Sequence, residues 1–193
     1  MGKHKNGQLD LDDWQGGGGY RAPYKPCHED HPPLHIGGGT LLGGNCKSHT
    51  RHANVSVYIA LDEAMRHPLF DETMDWKITP VSVFYPITNM RVPNRPDLFT
   101  MLIDYIIAAL KDGATVHVGC IGGHGRTGLV LAAVVARLGI TSDAIGYVRE
   151  HYCKRAVENR QQEGFLATHF GCDLPPHARP AYKEKVDKRF EGF

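Results

Sequence analysis

Cys120 and Arg126, separated by Ile121, Gly122, Gly123, His124 and Gly125 and followed by Thr127 and Gly128, have the clearest chemistry in the chain. A glycine-rich run of this length can curl until successive backbone amides point at one centre, a ring suited to a phosphate dianion. Arg126 is the one side chain such a ring needs, because its planar fork can grip two oxygens together. A helix starting at Arg126 would add the positive end of its dipole to the same field. That field also favours a thiolate at Cys120, a nucleophile placed for in-line attack on phosphorus. Thr127 can donate a hydrogen bond to the sulfur and ease its departure in a second step.

Other templates compete for the same residues. The run from Gly123 to Gly128 matches the dinucleotide fingerprint GxGxxG, but that motif wants a second strand after the helix, ending in an acidic residue, and another helix signal follows instead. The nucleotide loop G-x4-G-K-[ST] fails for want of its lysine. A buried structural thiol beside a tight turn would account for Cys120 and the glycines, yet leaves an arginine pinned at a helix start unexplained.

A strand must deliver Cys120 and a helix must receive Arg126. The runs 55–61 and 81–85 are short, apolar and β-branched, and read as buried strands. Asn94 and Pro96 mark a helix start with Asn94 as N-cap, and Leu98, Leu102, Ile103, Ile106 and Leu110 recur at helical spacing before Gly113. A strand over 114–119 leads into the loop. Helices follow from Arg126 to Leu138, from a cap at Asp143 to about Tyr152, and from Arg160 to Phe170. The pattern implies an α/β fold, a single domain with a mostly parallel central sheet flanked by helices and the loop at a strand's C-terminal edge. Residues 1–33, polar and rich in Gly and Pro, read as a flexible or loosely docked arm; 34–171 form the domain and 172–193 an extension.

Composition is that of a soluble globule: 193 residues, 41% hydrophobic, 22% charged and a net charge of +1. Nothing in that balance asks for nucleic acid or an acidic membrane. No apolar run approaches the roughly 20 residues that span a bilayer, and the first ten residues lack a signal peptide's apolar core, so a cytoplasmic location is expected. Five cysteines at irregular spacing suit a reducing compartment.

At Cys120, Gly123, Arg126 and Thr127 the chain resembles the cysteine-dependent tyrosine and dual-specificity phosphatase superfamily, closest to the dual-specificity branch, whose signature is HCxxGxxR[ST]. The resemblance extends over roughly residues 34–171. The stretch 85–93 (YPITNMRVP) looks like the family's mobile acid loop, and 157–166 (VENRQQEGFL) is similar to a segment ending Gln-x-x-Phe-Leu. It implies a dual-specificity-phosphatase-like fold, a cysteinyl-phosphate intermediate without cofactor or metal, and a water-orienting role for Gln162. The implied partner is a phosphorylated protein or a small phosphomonoester. Two departures stand out. Gly119 replaces the histidine before the nucleophile. Asn89 occupies the general-acid position, and an amide cannot supply an acidic proton. Asp97, at the nearby helix start, and His124, within the loop, are substitute proton donors. Without any of them the chain would be a phosphate-recognising pseudophosphatase, and a thiol reductase or sulfurtransferase is a third reading.

Cys27, His28, His31, His35, Cys46, His49 and His52 crowd one region, but their spacing gives no second firm ligand pair, so no metal is expected. Trp76, Phe84 and Tyr85 read as core residues, Tyr85 with a second role lining the pocket. Cys153 and Cys172 read as packing thiols. Ile121 and His124 lack the lysine pair that would argue for an inositol phosphate.

Overall fold

A computed structural model of the chain describes residues 31–46, 54–62 and 81–176. Among these, β1 (Leu34–Ile36), β2 (Gly39–Asn45), β3 (Val57–Ala60), β4 (Val81–Phe84) and β5 (Thr115–Cys120) form one sheet in the order β1-β2-β5-β3-β4. β2, β5, β3 and β4 run parallel, and only β1 pairs antiparallel, with β2. Four helices flank the sheet: α1 (Pro96–Lys111), α2 (Gly125–Arg137), α3 (Ala144–His151) and α4 (Arg160–Phe170). The expected mostly parallel α/β domain is the fold observed. No helix among the described residues is long and apolar enough to cross a membrane.

α2 is the centre of the molecule. Every residue from Gly125 to Val135 is buried, as required of a helix that is apolar on all sides and packs against β5, β2 and the other three helices. α1 buries one stripe, Phe99, Leu102, Ile103, Ile106, Ile107 and Leu110. Its phase corrects the expected one: Phe99 is buried and Leu98 is exposed. Its cap differs as well, since Arg95 rather than Asn94 is the N-cap, with Pro96 in the first turn where a missing N–H costs nothing. Asp143 caps α3 by accepting from the Gly146 N–H, and Asn159 caps α4 by accepting from that of Gln162.

One strand reading needs correction. β4 is an edge strand of the sheet and exposes Val81 and Phe84 rather than burying them. A β-branched run signals a strand, but an apolar composition does not distinguish an edge from a centre. β1 and β2 were not anticipated. Trp76 and most of the 1–33 arm lie outside the described residues. So does the end of the C-terminal extension.

Candidate active site

β2, β3 and β5 end at the same edge of the sheet, at Asn45, Ala60 and Cys120, the edge where open α/β sheets place their ligands. The chain leaves β5 at Cys120, turns through 121–124 and enters α2 at Gly125, so its first helical residues face the loop as the sequence requires. Gly123 takes φ +67, a left-handed turn that a side chain resists, and its N–H then points at the Cys120 Sγ from 3.2 Å. Thr127 lies one turn into α2. Its hydroxyl donates to the same sulfur at 3.2 Å and accepts from the Cys120 N–H at 3.1 Å. The hydroxyl has one proton, and Sγ lies nearer than the alternative acceptor, the Gly44 carbonyl at 3.4 Å. Cys120 is 2% exposed. Its sulfur thus receives two hydrogen bonds, one from the loop and one from α2.

Arg126 is fixed by neighbours that sequence reasoning missed. Its Nη1 lies 2.7 Å from an Asp62 carboxylate oxygen and donates to the Ile87 carbonyl at 2.9 Å. Strand pairing puts both there: the Leu61 N–H bonds Gly119 O and the Ile87 N–H bonds Leu61 O, which carries Asp62 and Ile87 to the mouth of the loop. Both anchors use Nη1. Nε and Nη2 make no hydrogen bond among the described residues, which leaves one edge of the fork for two oxygens of a bound anion. The signal for Asp62 was its place just after an apolar strand, at the ligand-binding edge of a parallel sheet.

Gln162 is buried against the loop at Gly125. Its Oε1 accepts from the Glu158 N–H at 2.9 Å, and its Nε2 points to the Arg91 carbonyl at 3.5 Å. Glu158 lies beside it, also against Gly125, and places a second unanticipated carboxylate at the loop. Arg149 holds this segment by donating to the carbonyls of Ala156 and Val157 and pairing with buried Glu163 at 2.8 Å.

Asn89 lies exposed in the turn between β4 and α1. Ile87 ties that turn to Arg126, and the Met90 carbonyl ties it to the Asn159 side chain. Asp97 is engaged elsewhere. It is exposed and pairs with Arg95 through two hydrogen bonds, which hold its carboxyl down to about 2. Such a group has no proton to give at neutral pH. His124, the other substitute donor, is buried, and its Nδ1 lies 3.2 Å from the Cys153 Sγ. Ile121 is the exposed member of the loop. Tyr85 is half-buried against Phe99 and donates to the Arg95 carbonyl.

Of the Cys/His-rich region only His31, His35 and Cys46 are among the described residues. Cys46 is buried beyond β2, His35 is exposed on β1, and Cys27, His28, His49 and His52 lie outside the described residues.

Gly119 has a steric reason. A Cβ there would meet the Cys46 N and Cα at 2.7 and 2.8 Å, backbone atoms that cannot swing aside. Restoring the family's histidine, Gly119→His, is expected to destabilise the fold by at least about 1–3 kcal/mol, the usual cost of overpacking, measured by urea denaturation.

Burial, followed by the charges of Asp62 and Cys120, pushes the Cys46 thiol up from 9.0 to about 12. Burial, then Asp173 and Asp143, pushes Cys172 up to about 11. The folded chain holds both protons more tightly than the unfolded chain, so stability is full below pH 9 and falls as pH rises toward these values. Calorimetric scans across that window should show a declining midpoint, with a shallower slope for Cys172→Ala.

A family model described as "Polymorphic toxin system, DSP-PTPase phosphatase" matches residues 47–140. Two uncharacterised proteins of Methanocaldococcus jannaschii are 39% and 38% identical over 112 residues, 58% of this chain and 74% and 69% of theirs. The fold is that of Tk-PTP in its active form (TM-score 0.57, 20% identity, 72% of this chain and 95% of that one). It is also that of human DUSP28 (TM-score 0.56, 14% identity, 72% and 96%), and of a mouse putative dual specificity phosphatase (TM-score 0.56, 15% identity, 79% and 92%). Residues 47–140 thus match a family of DSP-PTPase phosphatases, on a fold similar to that of tyrosine and dual-specificity phosphatases.

Proposed function

We propose that the chain hydrolyses phosphomonoesters through a cysteinyl-phosphate intermediate. The Cys120 thiolate attacks phosphorus, an S–P bond forms and the ester P–O bond breaks. The loop amides and the outward edge of Arg126 hold the phosphoryl oxygens, whose charge they match throughout. Water then attacks phosphorus, the S–P bond breaks, and the sulfur leaves as a thiolate that receives the Gly123 and Thr127 hydrogen bonds. Gln162, against the loop at Gly125, is the residue for orienting that water. Asp62 acts through Arg126 and is a positioning residue. The observation that carries the reading is the paired donation to Cys120 Sγ from within the loop whose arginine is braced by Asp62.

The leaving oxygen needs a proton that Asn89 cannot supply, so the substrates favoured are those that need it least. Aryl phosphates, phosphotyrosyl peptides included, leave as stable phenolates, whereas the alkoxides of phosphoserine and phosphothreonine do not. The test is phosphate release by the purified protein from aryl phosphate, phosphotyrosyl peptide and phosphoseryl peptide. Release in that order of rate is expected, and release from none of them overturns the reading. Asn89 favours a second reading, a module that binds phosphorylated partners without turning them over. Its signature would be saturable phosphopeptide binding with no phosphate released.

A further inference from the structure

At the phosphate loop, three segments bring metal-ligating atoms together. His31 precedes β1, His124 lies inside the loop as the N-cap residue of α2, and Cys153 follows α3. One ligand atom from each lies within 4.8 Å of the other two. His124 and Cys153 are 1% and 6% exposed, and their Nδ1 and Sγ are 3.2 Å apart. His31 is partly exposed and closes the group from outside.

The geometry points to a site for a zinc-like divalent cation held by His31, His124 and Cys153, with one position open to water. Zinc bonds of about 2.0–2.1 Å to imidazole and about 2.3 Å to sulfur place tetrahedral N and S ligands about 3.6 Å apart. The His124–Cys153 pair is already near that separation, and a small rotation of the half-exposed His31 ring closes the rest. Two imidazoles and a thiolate select borderline and soft cations such as Zn²⁺ or Co²⁺ over Mg²⁺ or Ca²⁺, which take oxygen ligands. On binding, the Cys153 thiol loses its proton to solvent and an S–metal bond forms, while the two neutral imidazoles contribute lone pairs.

Tyr152 packs against the group. Its ring lies against His31 with centroids 4.5 Å apart, and its hydroxyl donates to the Gly123 carbonyl at 2.5 Å. One residue thus steadies both a ligand and the loop that carries another. A cation here would fix His124, and with it the middle of the loop between Cys120 and Arg126. The set differs from the crowded N-terminal cysteines and histidines of the sequence, of which only His31 takes part.

The experiment titrates chelator-treated full-length protein with Co²⁺ and follows the thiolate-to-metal charge-transfer absorption, then measures Zn²⁺ affinity by competition with a chromophoric chelator. Wild type and Cys120→Ser should both give the band. Cys153→Ala should lose it, and His31→Ala should bind Zn²⁺ at least about 10²-fold more weakly, since loss of outer-shell support alone can cost that much. Circular dichroism of the metal-free variants checks folding, and if Cys153→Ala fails to fold, His31→Ala decides alone. Undiminished binding in folded His31→Ala overturns the site. Loss of the band in Cys120→Ser with its retention in Cys153→Ala moves the metal to the nucleophile and overturns it as well.

Discussion

Cys120→Ser should lower hydrolysis of an aryl phosphate by at least about 10⁴-fold, the scale seen when the nucleophile of a catalytic unit is removed. Ser keeps the size and hydrogen-bonding capacity that the Gly123 N–H and the Thr127 hydroxyl address, so the loop should keep its shape. An alcohol does not replace a thiolate as a nucleophile at neutral pH. Arg126, held by Asp62 and Ile87, is untouched. The variant should therefore bind phosphate as the wild type does, seen as equal protection of the fold by inorganic phosphate. Loss of turnover with retained binding separates a nucleophile from a structural thiol, whose replacement would weaken both.

Asn89→Asp should raise turnover of a phosphoseryl peptide by about 10²–10⁴-fold, the usual contribution of a general acid. The gain on an aryl phosphate should be smaller, because a phenolate leaves without much help. The turn carrying position 89 is tied to the active site at both ends, through the Ile87 carbonyl on Arg126 and the Met90 carbonyl on Asn159. A carboxyl introduced there should serve the leaving oxygen. Its pH profile is the control, since a rate that depends on a protonated carboxyl declines as pH rises through that group's range. An equal gain on both substrates, or none, means that position 89 is not where the leaving group is protonated. Asp97 does not fill the gap, since its pairing with Arg95 leaves it ionised. Glu158, against Gly125, is the other carboxylate at the loop.

Much of the site was readable because its chemistry is local in sequence. The loop from Cys120 to Thr127 is one contiguous run, and its glycines, arginine and threonine are there for a single purpose. α4 was legible in its bounds, from Arg160 to Phe170, whereas its Asn159 cap was not read. What escaped depends on pairing between distant segments. Asp62 becomes a partner of Arg126 only when β3 lies beside β5; its place just after an apolar run marks a strand end but does not name that partner. The Cys46 backbone explains Gly119 only once β2 pairs with β5 and delivers Cys46 just beyond their common end. β1 and β2 are joined through Gly37 and Gly38, both at positive φ, and this Gly-Gly pair between short apolar runs is a hairpin signal. The surrounding glycines obscured it. Asp97 and His124 were assigned by type and proximity in sequence, whereas one is occupied by Arg95 and the other turns inward to Cys153.

The covalent intermediate is the central claim, and mass spectrometry of protein quenched in acid during turnover of an aryl phosphate tests it most directly. The account predicts a phosphoryl group on the peptide containing Cys120, present in the wild type during turnover and absent from Cys120→Ser. Phosphate release at an undiminished rate by Cys120→Ser, with no phosphoryl group on that peptide in the wild type, would contradict it.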